Sequence, residues 1–246
     1  VSILVLTFAS FASWFFSTLA GGGTPLILIP VIATCLGATA VAPVITVGML
    51  IGHFQRLFLY WRSVRWQLMW WYLPGAIVGA GLGAFIFTIV KLEWLSILLG
   101  LFLLISIASY KSTADKPLFP VRSWYFLPAG FIFAFLSGLI GSTGPMLNPF
   151  YLNYGLDKEE TIATKSAHLL VVHIIKILAY AKFGALTWLY LDYGVIIGLA
   201  AFPGNWLGQM ALQKVSERRF RQFLTSFVAL SGILILWQER KFWAFW

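Results

Sequence analysis

The chain has 246 residues, of which 60% are hydrophobic and only 10% charged, with a net charge of +9. A soluble domain is about 45–50% apolar and about 25% charged. This composition therefore belongs in a bilayer, where ten helices of about 20 residues would leave about 46 for everything else. Such a chain has no room within it for a soluble catalytic or nucleic-acid-binding domain, and the positive charge reads as cytoplasmic loops rather than a nucleic-acid partner. The apolar stretches are continuous, unlike the alternating strands of an outer-membrane barrel. Cys35 is the only cysteine, so neither an internal disulfide nor a cysteine metal cluster can form.

In chain order, residues 1–55 contain no Asp, Glu, Lys or Arg. The run is too long for one span, so glycine and proline must divide it. Residues 1–19 are long enough to cross; they are as apolar as a signal peptide but lack its basic start. Gly21-Gly22-Gly23-Thr24-Pro25 interrupts the chain, and a short apolar piece continues to 36. Residues 40–61, 66–90 and 94–110 read as the third to fifth segments. The polar stretch 111–122, with Pro117 and Pro120, reads as a loop. Residues 124–138 form a sixth segment. Gly141-Ser142-Thr143-Gly144-Pro145 then breaks the chain before a short piece to 153. After the charged connection 157–160 come an eighth segment at 161–183, a ninth at 188–212 and a tenth at 223–237.

The second half repeats the first. Gly22 to Pro30 aligns with Gly141 to Pro149 at an offset of 119, and Thr46 aligns with Thr164 at 118. Five segments per repeat is an odd number, so the second copy must enter from the opposite side, as in many carriers. The expected fold is an all-α polytopic membrane protein of about ten segments in two inverted five-segment repeats. Residues 1–110 and 123–246 are the repeats, 111–122 is the linker, and short broken helices lie at 22–36 and 144–153.

The charges orient this fold. If both short segments cross, one side holds Arg62, Arg65, Lys111, Lys116, Arg122, Lys158, Lys214, Arg218, Arg219 and Arg221, and the other only Lys91, Lys182, Arg240 and Lys241. If both turn back as re-entrant loops, that bias disappears. The positive-inside rule favours crossing, which puts the 111–122 loop in the cytoplasm and both termini outside.

Arg56, Lys165 and Lys176 lie inside predicted spans, while the acids fall in loops or at span ends. Intramembrane charges are costly and usually line a pathway or meet a counter-ion. With no acidic partner inside, an anionic substrate would supply the counter-charge. At about 100° per residue, Lys165, His168, His173 and Lys176 share one helix face within about 140°, and Thr46, His53 and Arg56 share an arc of about 80°. These are equivalent segments of the two repeats, so the two polar faces could meet. The plainer alternative is that Arg56, Lys165 and Lys176 snorkel to an interface and that each histidine serves a neighbouring carbonyl.

The glycine breaks add a second element. Gly22, Gly23 and Thr24, and Ser142, Thr143 and Gly144, each open a short helix, with Asn148 one turn later. Helix N-termini bind anions through free N–H groups and the helix dipole. Two such ends from inverted repeats can point at one midplane site. Gly75, Gly79 and Gly83, with Gly204 and Gly208, read as packing glycines. Asn205 and Gln209 are supporting polar candidates. Trp61, Trp66, Trp70, Trp71 and Tyr72 read as an interfacial belt.

These residues resemble the sulfite exporter family (TauE/SafE), also called the 4-toluene sulfonate uptake permeases. The resemblance rests on Gly21-Gly22-Gly23-Thr24-Pro25 with Pro30, on Gly141-Ser142-Thr143-Gly144-Pro145, and on Gly155-Leu156-Asp157-Lys158 leading to Ala163-Thr164. Gly184-Ala185-Leu186-Thr187, Gly204 with Gly208, and Phe220-Arg221 also fit. The resemblance implies a small bacterial inner-membrane carrier of two inverted repeats, often exporting sulfite or organosulfonates, with its glycine-rich segments at Gly22, Gly23, Thr24, Ser142, Thr143 and Gly144. Where relatives often carry a small polar pair, this chain has Thr164-Lys165-Ser166.

The expected function is a secondary carrier of a small anion, a sulfur oxyanion or sulfonate. It needs no cofactor and no resident metal, and a homodimer is compatible with it. The alternative is a metal-cation transporter using His53, His168, His173 and Cys35, against which the neighbouring lysines argue. An intramembrane enzyme lacks a deep carboxylate pair or a nucleophile–base arrangement.

Overall fold

The computed structural model describes residues 2–19, 22–89 and 120–216, with 218–220, 222, 223, 226, 229, 230, 233 and 237 beyond them. The fifth predicted segment, residues 111–119 of the linker and most of the tenth segment lie outside the described residues. Among those described, every regular element is helical. The helices are α1 (Ser2–Leu19), α2 (Thr24–Leu36), α3 (Ala38–Tyr60), α4 (Trp66–Ile89), α5 (Phe126–Ile140), α6 (Asn148–Tyr154), α7 (Lys158–Lys182) and α8 (Trp188–Gln213). Four of them, α3, α4, α7 and α8, are long and apolar enough to cross a membrane.

The breaks fall where glycine and proline demand them. Gly22 and Gly23 take φ of +142° and +108°, which L-residues with side chains rarely adopt. Pro25 then opens α2, where its missing N–H costs nothing. The second break is built differently. Gly141 ends α5 at φ +99°, and Gly144–Leu147 forms a 3-10 turn before α6 starts at Asn148. The helix proper therefore begins one turn later than the sequence pattern places it, with Pro149 in its first turn.

α7 starts with a capping box: Asp157 Oδ1 accepts from the Glu160 N–H at 2.7 Å, and Glu160 Oε2 accepts from the Asp157 N–H at 3.3 Å. Asp157→Ala should lower stability by about 1 kcal/mol. Thermal unfolding in detergent, followed by loss of the monodisperse fraction, checks this.

Small residues decide how the helices pair. Gly75, Gly79 and Gly83 of α4 lie directly on the backbone carbonyls of Leu127, Phe131 and Phe135 of α5. The numbers rise together, so α4 and α5 run parallel. Gly204 and Gly208 of α8 lie in the same way on Phe11, Phe15 and Thr18 of α1. Both sets were expected to be packing glycines, and packing is what they do. α3 and α7 pack on one another between these two pairs.

One end of the bundle gathers basic residues. Arg65, in the turn after α3, pairs with Glu160 of α7, and its backbone N–H donates to Thr164 Oγ1 at 2.9 Å. Lys158 Nζ donates to the Val215 carbonyl beyond α8 at 2.8 Å. Ser123, just before α5, lies 3.2 Å from the Tyr154 hydroxyl at the end of α6. The α5–α6 pair therefore leaves this end and returns to it.

Large apolar side chains such as Phe58 (76% exposed), Trp70 (75%) and Leu178 (63%) face outward, as a lipid-facing surface requires. Trp61, Trp66, Trp70 and Trp71 are exposed, but Tyr72 is buried, so it does not belong to the interfacial belt expected for it.

Candidate functional site

The polar faces expected on the third and eighth segments meet along the α3–α7 seam. Arg56 and Lys165 are each 3% exposed and Lys176 is fully buried, so none of the three snorkels. All three sit inside the helix bundle.

Lys165 joins the two glycine-opened segments. Its ammonium rests on Gly22, where any Cβ would collide with it. Its Nζ also donates to Asn148 Oδ1, at the start of α6, at 2.7 Å. Gly23 and Thr24 are buried beside Gly22 at the start of α2. The first break, the opening of α6 and α7 are thus brought to one ammonium.

The second break has an ammonium of its own. Lys176 Nζ donates to the Gly141 carbonyl at 2.5 Å and reaches Ser137 Oγ at 3.4 Å. A cation there complements the C-terminal end of the α5 dipole. Thr143 donates to the Phe133 carbonyl at 2.9 Å, and Ser142 is half-buried next to it. Eleven residues separate Lys165 from Lys176 on α7, about 16 Å of helix. Lys165 therefore holds the first break together with the start of α6, and Lys176 holds the end of α5.

Arg56 lies between, in a socket that the sequence did not reveal. Asn205 Oδ1 accepts from its Nε at 3.1 Å and its Nη2 at 2.8 Å, and Thr18 Oγ1 accepts from Nη2 at 2.8 Å. The guanidinium carbon sits 4.7 Å from the Trp14 ring centroid, in cation–π range. Asn205 is held in turn, donating to the Gly52 carbonyl at 3.0 Å and to Gln55 Oε1 at 3.1 Å. It was expected as a supporting group and proves to be the chief acceptor for Arg56.

The histidines separate. His53 and His173 stack across the seam with ring centroids 5.6 Å apart. His168 stands elsewhere, stacked on Tyr72 at 4.0 Å with Nδ1 2.7 Å from the Tyr151 hydroxyl. The Thr46 hydroxyl donates back to the Ala42 carbonyl of its own helix at 2.6 Å. Gln209 lines a cavity of about 450 Å³ near the basic end, with Tyr60 at the end of α3, Arg62 and Glu159 at the start of α7.

The residue numbers carry a signal for this pairing. An offset of 120 relates His53 to His173 and also Arg56 to Lys176. Together with the offset of 118 that relates Thr46 to Thr164, it matches three polar positions of α3 to α7, while His168 has no polar counterpart. Trp14, Thr18, Tyr72 and Tyr151 carry no such signal, being ordinary aromatic or hydroxyl residues in apolar helices.

Electrostatically the seam is one-sided. The bonds just described from Lys165, Arg56 and Lys176 all go to neutral oxygens. The described acids Asp157, Glu159 and Asp192 are exposed and Glu160 is partly exposed, so no described carboxylate is buried in the seam. Burying cations such as Arg56 and Lys176 against neutral oxygens is costly, and it creates a place where an anion is favoured. Among the described residues, no three of His, Cys, Asp and Glu gather to hold a metal ion.

Comparison with known proteins agrees with this picture. No curated protein and no solved structure gave a match. The family model described as Sulfite exporter TauE/SafE matches residues 6–235, nearly the whole chain. A polytopic helical chain with a cationic interior, matched almost end to end, belongs to the TauE/SafE sulfite exporter family of membrane transporters.

Proposed function

We propose that the chain is a secondary carrier exporting a small anion, sulfite or an organosulfonate, across the bacterial inner membrane by alternating access. The observation that carries this reading is the α3–α7 seam, where Lys165, Arg56 and Lys176 are buried against neutral oxygens with no described carboxylate among them. The anion would enter at Lys165, between Gly22 and Asn148, and pass along the seam toward Lys176. Arg56 would lend charge from its socket, and the histidines and the hydroxyls of Thr24 and Ser142 would supply further donors, with Thr143 holding the break through its bond to Phe133.

Partner exchange between the halves supports two inverted repeats. α4 of the first half packs on α5 of the second, and α1 of the first on α8 of the second. That is the arrangement a two-fold axis in the membrane plane produces. The α3–α7 contact would lie on this axis, and alternating access would be a rocking across it. The basic end of the bundle supports a cytoplasmic face there. α1 runs parallel to α8, so it starts at the other end, which supports an external N-terminus.

A metal-cation carrier finds less support, because His168 stands in an aromatic box away from the His53–His173 pair. Flux measurements in proteoliposomes with sulfite, sulfate, taurine, sulfoacetate and lactate test the proposal. Saturable flux of sulfite or a sulfonate, exceeding that of lactate, is expected. If no anion moves, the carrier reading is wrong.

A further inference from the structure

The histidine pair at the centre of the seam takes no part in holding the three cations. His53 and His173 lie nearly parallel, 11° between planes. The edge of Trp14 meets His53 at 5.1 Å. All three side chains are buried, and His53 Nδ1, His173 Nδ1 and Nε2, and Trp14 Nε1 have no hydrogen-bond partner. Four polar atoms without partners in one place need an explanation, since native interiors satisfy nearly all such groups.

The surroundings narrow what these rings can exchange. α1 brings Trp14 and no titratable group. α3 brings Arg56, one turn beyond His53, and then Tyr60. α7 brings Lys176 one turn beyond His173, Lys165 and His168 before it, and Tyr180 after it. α8 offers Asn205, already bonded to Arg56, while its Tyr190, Asp192 and Tyr193 lie in the first two turns at the far end. α2 carries only Cys35, in its last turn, α4 carries Tyr72, stacked on His168, and α5 carries none. The α6 tyrosines are Tyr151, bonded to His168, and Tyr154. No described acid faces the pair, so an imidazolium there would have only an incoming anion to balance it.

We propose that the His53–His173 pair is the proton site of the carrier, and that anion and proton cross together as symport. The inference rests on the anion-carrier reading above. The proton adds to the lone pair of one ring nitrogen and later returns from it to water on the other side; no heavy-atom bond changes. One proton serves the pair, because two charged rings at this spacing would repel. Each half of the chain contributes one ring, so rocking across the seam opens the stack and exposes the pair. Binding of anion and proton is linked, each raising the affinity for the other.

The test uses the full chain in proteoliposomes loaded with a pH-sensitive dye. The probe is isethionate, a sulfonate that carries its charge throughout the neutral range. Counterflow of labelled against unlabelled isethionate reports anion carriage alone. Lumenal acidification under an inward isethionate gradient reports the proton. The wild type is expected to move about one proton per anion, and the His53→Gln/His173→Gln variant at least about tenfold fewer protons per anion, whatever its absolute rate. Counterflow without acidification in the wild type overturns the symport and leaves the carrier reading standing. A variant with an unchanged proton-to-anion ratio overturns the assignment to this pair. Should the double variant not fold, His173→Gln alone and the wild-type ratio still decide. Absence of counterflow with isethionate, sulfoacetate and sulfite overturns the carrier reading and the symport with it.

Discussion

Replacing Lys165 by methionine is expected to raise the KM for the transported anion about 10- to 100-fold, the equivalent of one charge-assisted hydrogen bond of about 1.5–3 kcal/mol. Methionine has nearly the same length, so the space over Gly22 stays filled. What disappears is the charge. The fold should survive, because two changes oppose each other. Exchanging a buried charge for an apolar group is often neutral or stabilising. Asn148 Oδ1 loses its 2.7 Å donor, which costs about 1–3 kcal/mol when the acceptor stays buried. The signature is therefore a large rise in KM with a small change in thermal stability. Initial rates against sulfite concentration in proteoliposomes, with unfolding of the same preparation in detergent, measure both. Lys165→Arg keeps the charge but not the compact ammonium that fits over Gly22, so it should rescue transport only in part. An unchanged KM in Lys165→Met would reduce this lysine to a clamp on Asn148.

The elements themselves are legible in the sequence, because the rules that make them are local. Long, mostly apolar runs locate α3, α4, α7 and α8 to within a few residues, and glycine with proline locates both breaks. The polar faces of α3 and α7 are legible too, since helical spacing places side chains on one face without knowledge of the fold. What a face points at is not local. Arg56 finds Asn205, 149 residues away, and Thr18, 38 residues away. Helical spacing gives Arg56 a face and no partner, and that leaves snorkelling open. Tyr72 departs from expectation for a related reason. It follows Trp70 and Trp71 in sequence and shares their interfacial character, yet helical rotation turns it inward onto His168 while they face out. The convergence of the two short helices is legible only as a possibility: helical spacing puts Lys165 on the polar face of α7, but that its ammonium touches Gly22 and Asn148 together depends on how α2 and α6 pack.

The bundle divides into tight and loose contacts, and the division bears on how it could move. α4 on α5 and α1 on α8 touch backbone to backbone through glycine. The α3–α7 seam instead carries the His53–His173 stack and three long cations whose bonds reach out to α1, α5, α6 and α8. Rigid pairs on either side of a polar seam are what rocking requires.

A matched pair of substitutions tests the tight contact. Gly79→Ala should destabilise the protein by about 1–3 kcal/mol, whereas Gly81→Ala, two residues along the same helix, should stabilise it by up to about 1 kcal/mol. In an open helix, alanine is favoured over glycine by about 1 kcal/mol. A Cβ at Gly81 meets only Ile175 Cγ2, at 3.9 Å, an ordinary contact, so that gain should appear. A Cβ at Gly79 strikes the Phe131 carbonyl oxygen, with the Phe131 carbonyl carbon and Cα both at 3.0 Å. These are backbone atoms and cannot turn aside as a side chain can, so α4 must move off α5 along its length. Gly75 and Gly83 repeat the contact one turn to either side, and Gly79→Val should therefore cost more than the alanine change. Thermal unfolding of the three variants in one detergent gives the ranking. Opposite signs for Gly79→Ala and Gly81→Ala would establish that the close approach, and not the helix itself, is what glycine secures here. Equal shifts of the same sign would remove the rigid α4–α5 pair, and with it the reason to place the moving surface at the α3–α7 seam.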